Sequence, residues 1–257
     1  MDIIACIKRV PQTAEADVKI DSSGKDIVKD RLQFDMNESD TYALEEAILL
    51  KEKFSGSLTV ISVGTFDAED TLRIALAKGA DNAIRIKAED FGELDGYKTA
   101  QLLKAVIKDL KHDAIFTGCI ATDDYYSQVG VTLAELLGMP HASLVTKIEI
   151  DGNTVHAYRE LEGGLLEHLA MSLPALFTIQ TGINEPRYAS LIAIRRAAKK
   201  EIKVIGKEEI NAEDIVSFSS LEKLFTPPVG ERAEILSGTL DEIGTRVQGI
   251  VKEKGLL

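Results

Sequence analysis

Residues 58–64 read Leu58-Thr59-Val60-Ile61-Ser62-Val63-Gly64, a short β-branched run that a glycine closes. A continuous apolar run of this length is typical of a strand that is buried on both faces of a parallel sheet. From Asp67 onward, Leu72, Ala75 and Leu76 recur at helical spacing until Gly79 ends the pattern. This strand, glycine, helix, glycine order predicts one βα repeat.

The same alternation extends in both directions over the first 140 residues. Strands are predicted at residues 2–8, 58–63, 82–86 and 114–117, and helices near residues 39–54, 67–78, 97–110 and 126–137. Either Ser39 or Asp40 could cap the first helix. The alternation favours an α/β fold with a mostly parallel, doubly wound sheet.

The pattern changes after residue 140, where strands are predicted at residues 145–150, 154–161, 166–172 and 175–179. Glycine pairs and Asp-Gly make suitable turns between them, so we expect antiparallel additions to the same sheet. Residues 1–205 are therefore predicted to form one α/β domain.

Residues 206–257 are predicted to form an extended C-terminal arm that ends in a helix. Residues 225–228 include two prolines, and Thr239 and Glu242 fit a capping box at the helix start. The apolar stripe of this helix could pack on a partner subunit or on the chain's own core, and the sequence leaves both open.

Composition excludes several classes of protein. Hydrophobic residues make up 45% of the 257 residues and the formal net charge is −12, which fits a globular protein that binds neither nucleic acid nor anionic membranes. Cys6 and Cys119 suggest no disulfide framework, and the four histidines have no metal-ligand spacing, so no metal site is expected. The sequence shows neither a signal peptide nor an apolar run long enough to span a membrane, so the expected location is the cytoplasm.

In an open α/β sheet, ligands bind at the carboxyl ends of the strands, near the point where the strand order reverses. Three loops would converge there, after Lys8, after Val63 and after Gly118. We call residues 118–130 the nucleotide loop, because a glycine and small residues lead into a helix whose free N–H groups could hold a phosphate. The alternative is an ordinary loop in which Asp124 or Ser127 caps the helix.

No catalytic constellation is visible. Asp123 and Asp124 are adjacent and point in different directions, which suits capping or ribose contacts better than acid–base chemistry. No serine or cysteine has a histidine partner placed by a motif. The sequence therefore predicts a binding protein, with a stand-alone nucleotide-binding regulatory domain and an enzyme acting on adenine nucleotides as competing hypotheses.

Five blocks of sequence, in order, resemble the β subunits of electron transfer flavoproteins. They are residues 37–47, residues 77–81, the nucleotide loop, residues 159–164 with 173–175, and residues 184–191 with 197–200. The resemblance covers nearly the whole chain and weakens only after about Ile205.

The resemblance implies an adenine-nucleotide-binding fold, a heterodimer with an α subunit that holds most of the redox FAD, and one structural AMP in this chain. The protein would then be an electron carrier subunit and not an enzyme, taking electrons from dehydrogenases to an acceptor. Carried over residue by residue, the resemblance implies AMP contacts at Ala5, Asn37, Glu38, Ser39, Asp40, Val63, Gly118, Cys119, Ile120, Ala121, Thr122, Asp123, Asp124, Tyr125, Tyr126, Ser127, Gln128 and Val129.

The resemblance also implies a recognition loop, residues 179–201, which docks on dehydrogenases. Leu191 matches its anchor residue, with Arg187 and Tyr188 beside it, and Glu160 matches an acidic residue that faces the FAD domain. From the sequence alone, Leu191 could equally be a core residue at a helix start.

The nucleotide itself has an alternative. Relatives that bifurcate electrons carry a second FAD in place of AMP, with an Asp-Gly-Asp-Thr-like loop and a proline after Gln-Val-Gly. Here residues 123–127 differ from that pattern and Val131 follows Gly130. The loop looks more like those of AMP-binding relatives, including the type that serves trimethylamine dehydrogenase, so AMP is the expected ligand and FAD the alternative.

Overall fold

The computed structural model describes residues 1–14, 16–210, 215–228, 230 and 233–256. The chain divides into two compact units, residues 1–222 and residues 223–257. Parts of the predicted C-terminal arm, at residues 211–214, 229, 231–232 and 257, lie outside the described residues. The first unit includes residues 206–222 of that arm, and the domain boundary near residue 205 stays a prediction.

Strands and helices alternate through most of the first unit. The strands are β1 (Ile3–Cys6), β2 (Arg9–Pro11), β3 (Phe34–Met36), β4 (Leu58–Gly64), β5 (Asn82–Lys87), β6 (Ala114–Gly118), β7 (His141–Asp151), β8 (Thr154–Leu161), β9 (Leu165–Ser172), β10 (Ala175–Ile179) and β11 (Lys203–Ile205). The helices are α1 (Glu38–Phe54), α2 (Ala68–Lys78), α3 (Gly96–Ile107), α4 (Val129–Leu137), α5 (Leu191–Ala197) and, in the second unit, α6 (Leu240–Glu253).

Nine strands form one sheet in the order β11-β5-β4-β1-β6-β10-β7-β8-β9. All neighbouring pairs from β11 to β7 are parallel, whereas β8 is antiparallel to both β7 and β9. A short antiparallel pair, β2 with β3, stands apart from this sheet. The prediction of a mostly parallel α/β sheet with antiparallel additions is confirmed.

The core lies on both faces of the sheet, because successive residues of a strand point to opposite sides. In β1 and just beyond it, Ile3, Ala5 and Ile7 join the cluster beneath α1 and α2, whereas Ile4 and Cys6 join the cluster beneath α3 and α4. Burial on both faces explains the continuous apolar runs of the central strands.

The strand order reverses at β1, which lies between β4 and β6. The chain after β1 leads to α1 on one face, and the chain after β6 leads to α4 on the other face. The two connections diverge at the carboxyl ends of β1 and β6, where a doubly wound sheet leaves a crevice.

The placement of β10 corrects one prediction. Residues 175–179 were expected to continue the antiparallel series, but β10 lies between β6 and β7 and is parallel to both. All five of its residues are buried, as expected for a strand covered on both faces. Its apolar run resembles that of β1 more than the alternating pattern of β8 and β9.

The second unit contains α6, whose predicted capping box is confirmed. The Thr239 side chain accepts a hydrogen bond from the Glu242 N–H, and the Glu242 side chain accepts one from the Thr239 N–H. Leu240 is 89% exposed within this unit. Among the described helices of both units, none is long and apolar enough to cross a membrane.

Candidate functional site

Gly118, the last residue of β6, lies directly against the first turn of α1. A Cβ atom at this position would lie 2.2 Å from Asp40 Oδ1 and 2.3 Å from Ser39 Oγ. Both distances are far shorter than a van der Waals contact, so only glycine allows this approach. The close approach brings the nucleotide loop against the residues that start α1.

Asp40 connects the two strands that border the crevice. Its Oδ2 accepts a hydrogen bond of 2.7 Å from the Lys8 N–H, and its Oδ1 accepts one of 3.0 Å from the Gly118 N–H. Burial raises the pKa of this carboxyl to about 7, although hydrogen bonds from Asn37, Lys8 and Gly118 favour the charged form and lower it. Both oxygens are used as acceptors, so one carboxyl holds the backbone after β1 and the backbone at the end of β6.

Asn37 and Ser39 hold the next part of the nucleotide loop. Asn37 Nδ2 donates to the Ile120 carbonyl at 2.8 Å, and its Oδ1 accepts from the Thr122 N–H at 3.1 Å. Ser39 Oγ donates to the same carbonyl at 2.7 Å. The prediction that Ser39 or Asp40 caps α1 is wrong, because Asn37 occupies the cap position and the other two side chains bind the neighbouring loops.

Helix α4 begins at Val129, three residues later than the sequence predicted. Tyr125 and Ser127 have φ values of 57° and 53°, a left-handed conformation that interrupts the helical path. Gln128 occupies the cap position and makes no side-chain cap, so neither Asp124 nor Ser127 plays the capping role that the alternative required. The first turn of α4 therefore offers N–H groups that no cap side chain satisfies.

Lys8 was missing from the predicted site, yet it contacts the nucleotide loop. Its Nζ lies 2.7 Å from Asp123 Oδ1 and 2.9 Å from Asp124 Oδ2. Desolvation lowers the pKa of Lys8, but the two carboxylates outweigh it and the net pKa is raised. The signal in the sequence was its position, immediately after a buried strand whose carboxyl end borders the crevice.

The other predicted nucleotide residues occupy different environments. Ala5 is fully buried within β1, Val63 is half-buried near the end of β4, and Glu38 is exposed on α1. Cys119 is buried and its Sγ donates to Gln180 Oε1 at 3.0 Å, while burial raises the pKa of the thiol. The structure brings Asn37, Ser39, Asp40 and the nucleotide loop together. The nucleotide contacts of these residues, like those of Ala5, Val63 and Glu38, stay predictions.

Tyr125 and Tyr126 lie at the surface of the nucleotide loop, where they are 66% and 65% exposed. The Tyr125 N–H donates to the Ala121 carbonyl, and the Tyr126 N–H donates to Asp124 Oδ1 at 3.1 Å. Neither tyrosine is a core residue, so both side chains are accessible to a ligand or a partner.

The recognition loop carries exposed apolar side chains. Tyr188 is 98% exposed and Leu191 is 76% exposed at the first position of α5. The alternative that Leu191 is a core residue is therefore wrong for this chain. Arg187 is half-buried against α1, and Glu160 is exposed near the end of β8; their roles toward partners stay predictions.

Comparison with known proteins identifies similar chains over the whole length. Residues 26–209 match the family model described as electron transfer flavoprotein domain. The chain is 39% identical to the electron transfer flavoprotein subunit beta of Bacillus subtilis, over 93% of this chain and 92% of that one. It is 36% identical to the subunit of the same name from Methylophilus methylotrophus, over 98% of both chains. It is also 32% identical to the caffeyl-CoA reductase-Etf complex subunit CarD of Acetobacterium woodii, over 100% of both.

Proposed function

The chain belongs to the electron transfer flavoprotein β-subunit family, and we propose that it is the β subunit of a heterodimer that carries electrons from dehydrogenases to an acceptor. In this proposal the α subunit holds most of the redox FAD, which supplies the electron chemistry. This chain binds a structural nucleotide, pairs with the α subunit and docks on dehydrogenases, so it acts as a carrier subunit and not as an enzyme.

We propose AMP as the nucleotide of this chain, and one observation carries the proposal. Three buried polar side chains of α1 and its cap, Asn37, Ser39 and Asp40, hold the nucleotide loop through backbone groups. The loop ends at the uncapped first turn of α4, where free N–H groups and the positive end of the helix dipole suit one phosphate.

The adenosine part of the ligand needs acceptors and donors near this turn, and the nucleotide loop offers them. Asp123 and Asp124 supply carboxylates of the kind that bind ribose hydroxyls, and both form ion pairs with Lys8. Tyr125 and Tyr126 supply exposed rings that could stack on a base.

The proposal is tested by releasing the ligand from the purified heterodimer. Denaturation should release AMP at about one per β chain, because one uncapped helix turn suits one phosphate group. The isolated β chain should carry AMP without flavin colour, and flavin should appear only with the α subunit. Recovery of FAD from the isolated β chain in the same amount would contradict the AMP proposal and show that this site binds FAD.

Docking on dehydrogenases is proposed for the recognition loop, and pairing with the α subunit for the arm of residues 206–257. The exposure of Tyr188 and Leu191 supports the first, and the amphipathic α6 supports the second. We place the heterodimer in the cytoplasm, in keeping with Cys6 and Cys119 as free thiols.

A further inference from the structure

Arg187 lies within the recognition loop, yet its guanidinium binds this chain's own helix α1. Its Nε lies 2.9 Å from Glu45 Oε1, and its Nη1 and Nη2 lie 2.7 and 3.1 Å from the two carboxylate oxygens of Glu52. The Arg187 N–H also donates to Glu45 Oε2 at 3.0 Å. This planar, two-pronged arrangement occupies most of the donors that arginine offers.

A second tie lies three residues earlier. Asn184 Nδ2 donates to Glu46 Oε2 at 3.0 Å and to the Tyr42 carbonyl at 3.1 Å. Residues 43–48 of α1 are buried, so this stretch of the helix is a fixed support for Asn184 and for the contact of Arg187 with Glu45. The last turn of α1, which carries Glu52, is more exposed.

The far end of the same segment is also held in place. The Arg73 guanidinium of α2 donates to the carbonyls of Ala197 and Ala198, both at 3.2 Å, at the end of α5. Lys200 Nζ donates to the Ala80 carbonyl at 3.0 Å. The backbone from residue 184 to residue 200 is therefore fixed at both ends.

Between these ties the apolar side chains point outward. Tyr188, Leu191 and Ile192 are 98%, 76% and 64% exposed, so within the first unit their own packing does little to hold them. Their arrangement depends on the polar ties, and the tie nearest to them in the sequence is Arg187.

We propose that Arg187 is a positioning residue: by binding Glu45 and Glu52 it holds Tyr188 and Leu191 in the orientation that docks, and it does not itself bind the dehydrogenase. The inference rests on the proposed function of the recognition loop. It changes the role expected for Arg187 and adds Glu45 and Glu52 to the docking apparatus. The Glu45 side chain is only 4% exposed, so any effect it has on docking must pass through Arg187.

The test compares heterodimers carrying Arg187→Gln, Glu52→Gln and Glu45→Gln with the wild type. Arg31→Gln serves as the matched control, because Arg31 is exposed and lies outside the recognition loop. Hydrogen exchange of residues 185–194 is measured on each heterodimer. The second measurement uses a dehydrogenase that reduces the wild-type heterodimer, and it gives the KM of that dehydrogenase for each heterodimer and the kcat of the reduction. Glu52 is half-exposed, so its variant keeps the test valid if either buried partner proves necessary for folding.

We expect Arg187→Gln and Glu52→Gln to speed exchange in residues 185–194 and to raise KM with little change in kcat. If the docking-competent orientation falls to about a tenth of the population, KM rises about tenfold. Arg187→Lys should have a KM and an exchange rate between those of the wild type and those of Arg187→Gln, since lysine cannot form the two-pronged contact. The double variant Arg187→Gln, Glu45→Gln should have the same KM as Arg187→Gln alone, because both substitutions break the same contact.

Two results would overturn the positioning role. One is wild-type exchange and KM in Glu45→Gln and Glu52→Gln combined with a raised KM in Arg187→Gln, which would mean that Arg187 touches the dehydrogenase directly. The other is a lower melting temperature of Arg187→Gln without any change in exchange or KM. Failure of the docking function itself looks different, because Leu191→Ala would then leave KM unchanged whatever Arg187 does.

Discussion

The nucleotide loop and the recognition loop both form hydrogen bonds with helix α1, but they differ in which side chains are buried. At its start, α1 buries Ser39 and Asp40 to fix a neighbouring backbone. Further along, Glu45 and Glu52 hold Arg187 at the surface while Tyr188 and Leu191 stay exposed. Polar groups are buried in the first region, and apolar groups are exposed in the second.

The difference fits the ligand that is proposed for each region. A small polar ligand requires a crevice in which every donor and acceptor has a fixed position, and buried hydrogen bonds give that rigidity. A protein partner is bound by apolar side chains that remain uncovered until it arrives. Substitutions in the first region should therefore disrupt the local structure, and substitutions in the second should weaken binding of the partner.

The largest effect is expected from Gly118→Ala. The new methyl group would overlap Asp40 and Ser39, with closest approaches of 2.2 and 2.3 Å. Overpacking of this kind costs roughly 1–3 kcal/mol or more, and it would displace the nucleotide loop, so we expect loss of the proposed nucleotide. Gly244→Ala, measured on the isolated β chain, is the control for nucleotide retention, since a Cβ there meets nothing within 4 Å. Retention of the nucleotide at the wild-type level in Gly118→Ala would contradict the close-approach argument.

Leu191→Ala should weaken docking and leave the fold intact. Loss of a buried leucine contact costs roughly 1.5–3 kcal/mol, which corresponds to about 10- to 150-fold weaker docking. The melting temperature, the flavin and the nucleotide should be unchanged because Leu191 is 76% exposed. Leu166→Ala, a leucine that is 66% exposed on β9, provides the comparison. A lower melting temperature with an unchanged rate of reduction by the dehydrogenase would contradict the docking role of Leu191.

Asp40→Asn should change how stability depends on pH. The pKa of Asp40 is raised from 3.8 to about 7, so between these values the folded chain binds more protons than the unfolded chain. The contribution of Asp40 to the free energy of unfolding therefore decreases as the pH rises through this window. Asparagine removes that slope and also loses one hydrogen bond, a cost of roughly 1–3 kcal/mol.

Urea unfolding between pH 4.5 and 8 measures this slope, with Asp109→Asn as a control at an exposed carboxylate. Identical slopes for the wild type and Asp40→Asn would show that Asp40 does not titrate in this range.

The smallest effect is expected from Lys8→Met. The ion pairs of Lys8 with Asp123 and Asp124 are partly exposed, and such pairs contribute about 0–1 kcal/mol. The loss in the free energy of unfolding should be smaller in concentrated salt, because the salt already screens the ion pairs in the wild type. Lys29→Met, which removes the exposed pair with Asp26, is the matched control. A loss of stability much larger than that of Lys29→Met would contradict this assignment of a weak, partly exposed ion pair.

The sequence allowed the parallel sheet, the crevice loops and the capping box of α6 to be predicted, because local periodicity and turn residues determine them. It did not show that β10 is inserted beside β6, since a buried parallel strand and a hairpin strand can have the same apolar run. Nor did it show Asp40 bonding to Gly118, or Arg187 bonding to Glu45. These contacts join residues 78 and 142 positions apart, and only the folded topology brings such residues together.

The position of β10 has a consequence for the order in which the chain can assemble. Strands β7, β8 and β9 precede β10 in the sequence, yet β7 reaches the rest of the sheet only through β10. During synthesis, residues 141–172 can form their hairpins as they emerge from the ribosome, but their native neighbour β10 is missing until residues 175–179 follow. Until then, both β6 and the hairpins present open strand edges, which are the surfaces from which misassociation starts. A truncation just before residue 175 would make that exposure permanent, and one placed after residue 180 would leave β10 available to cover both edges.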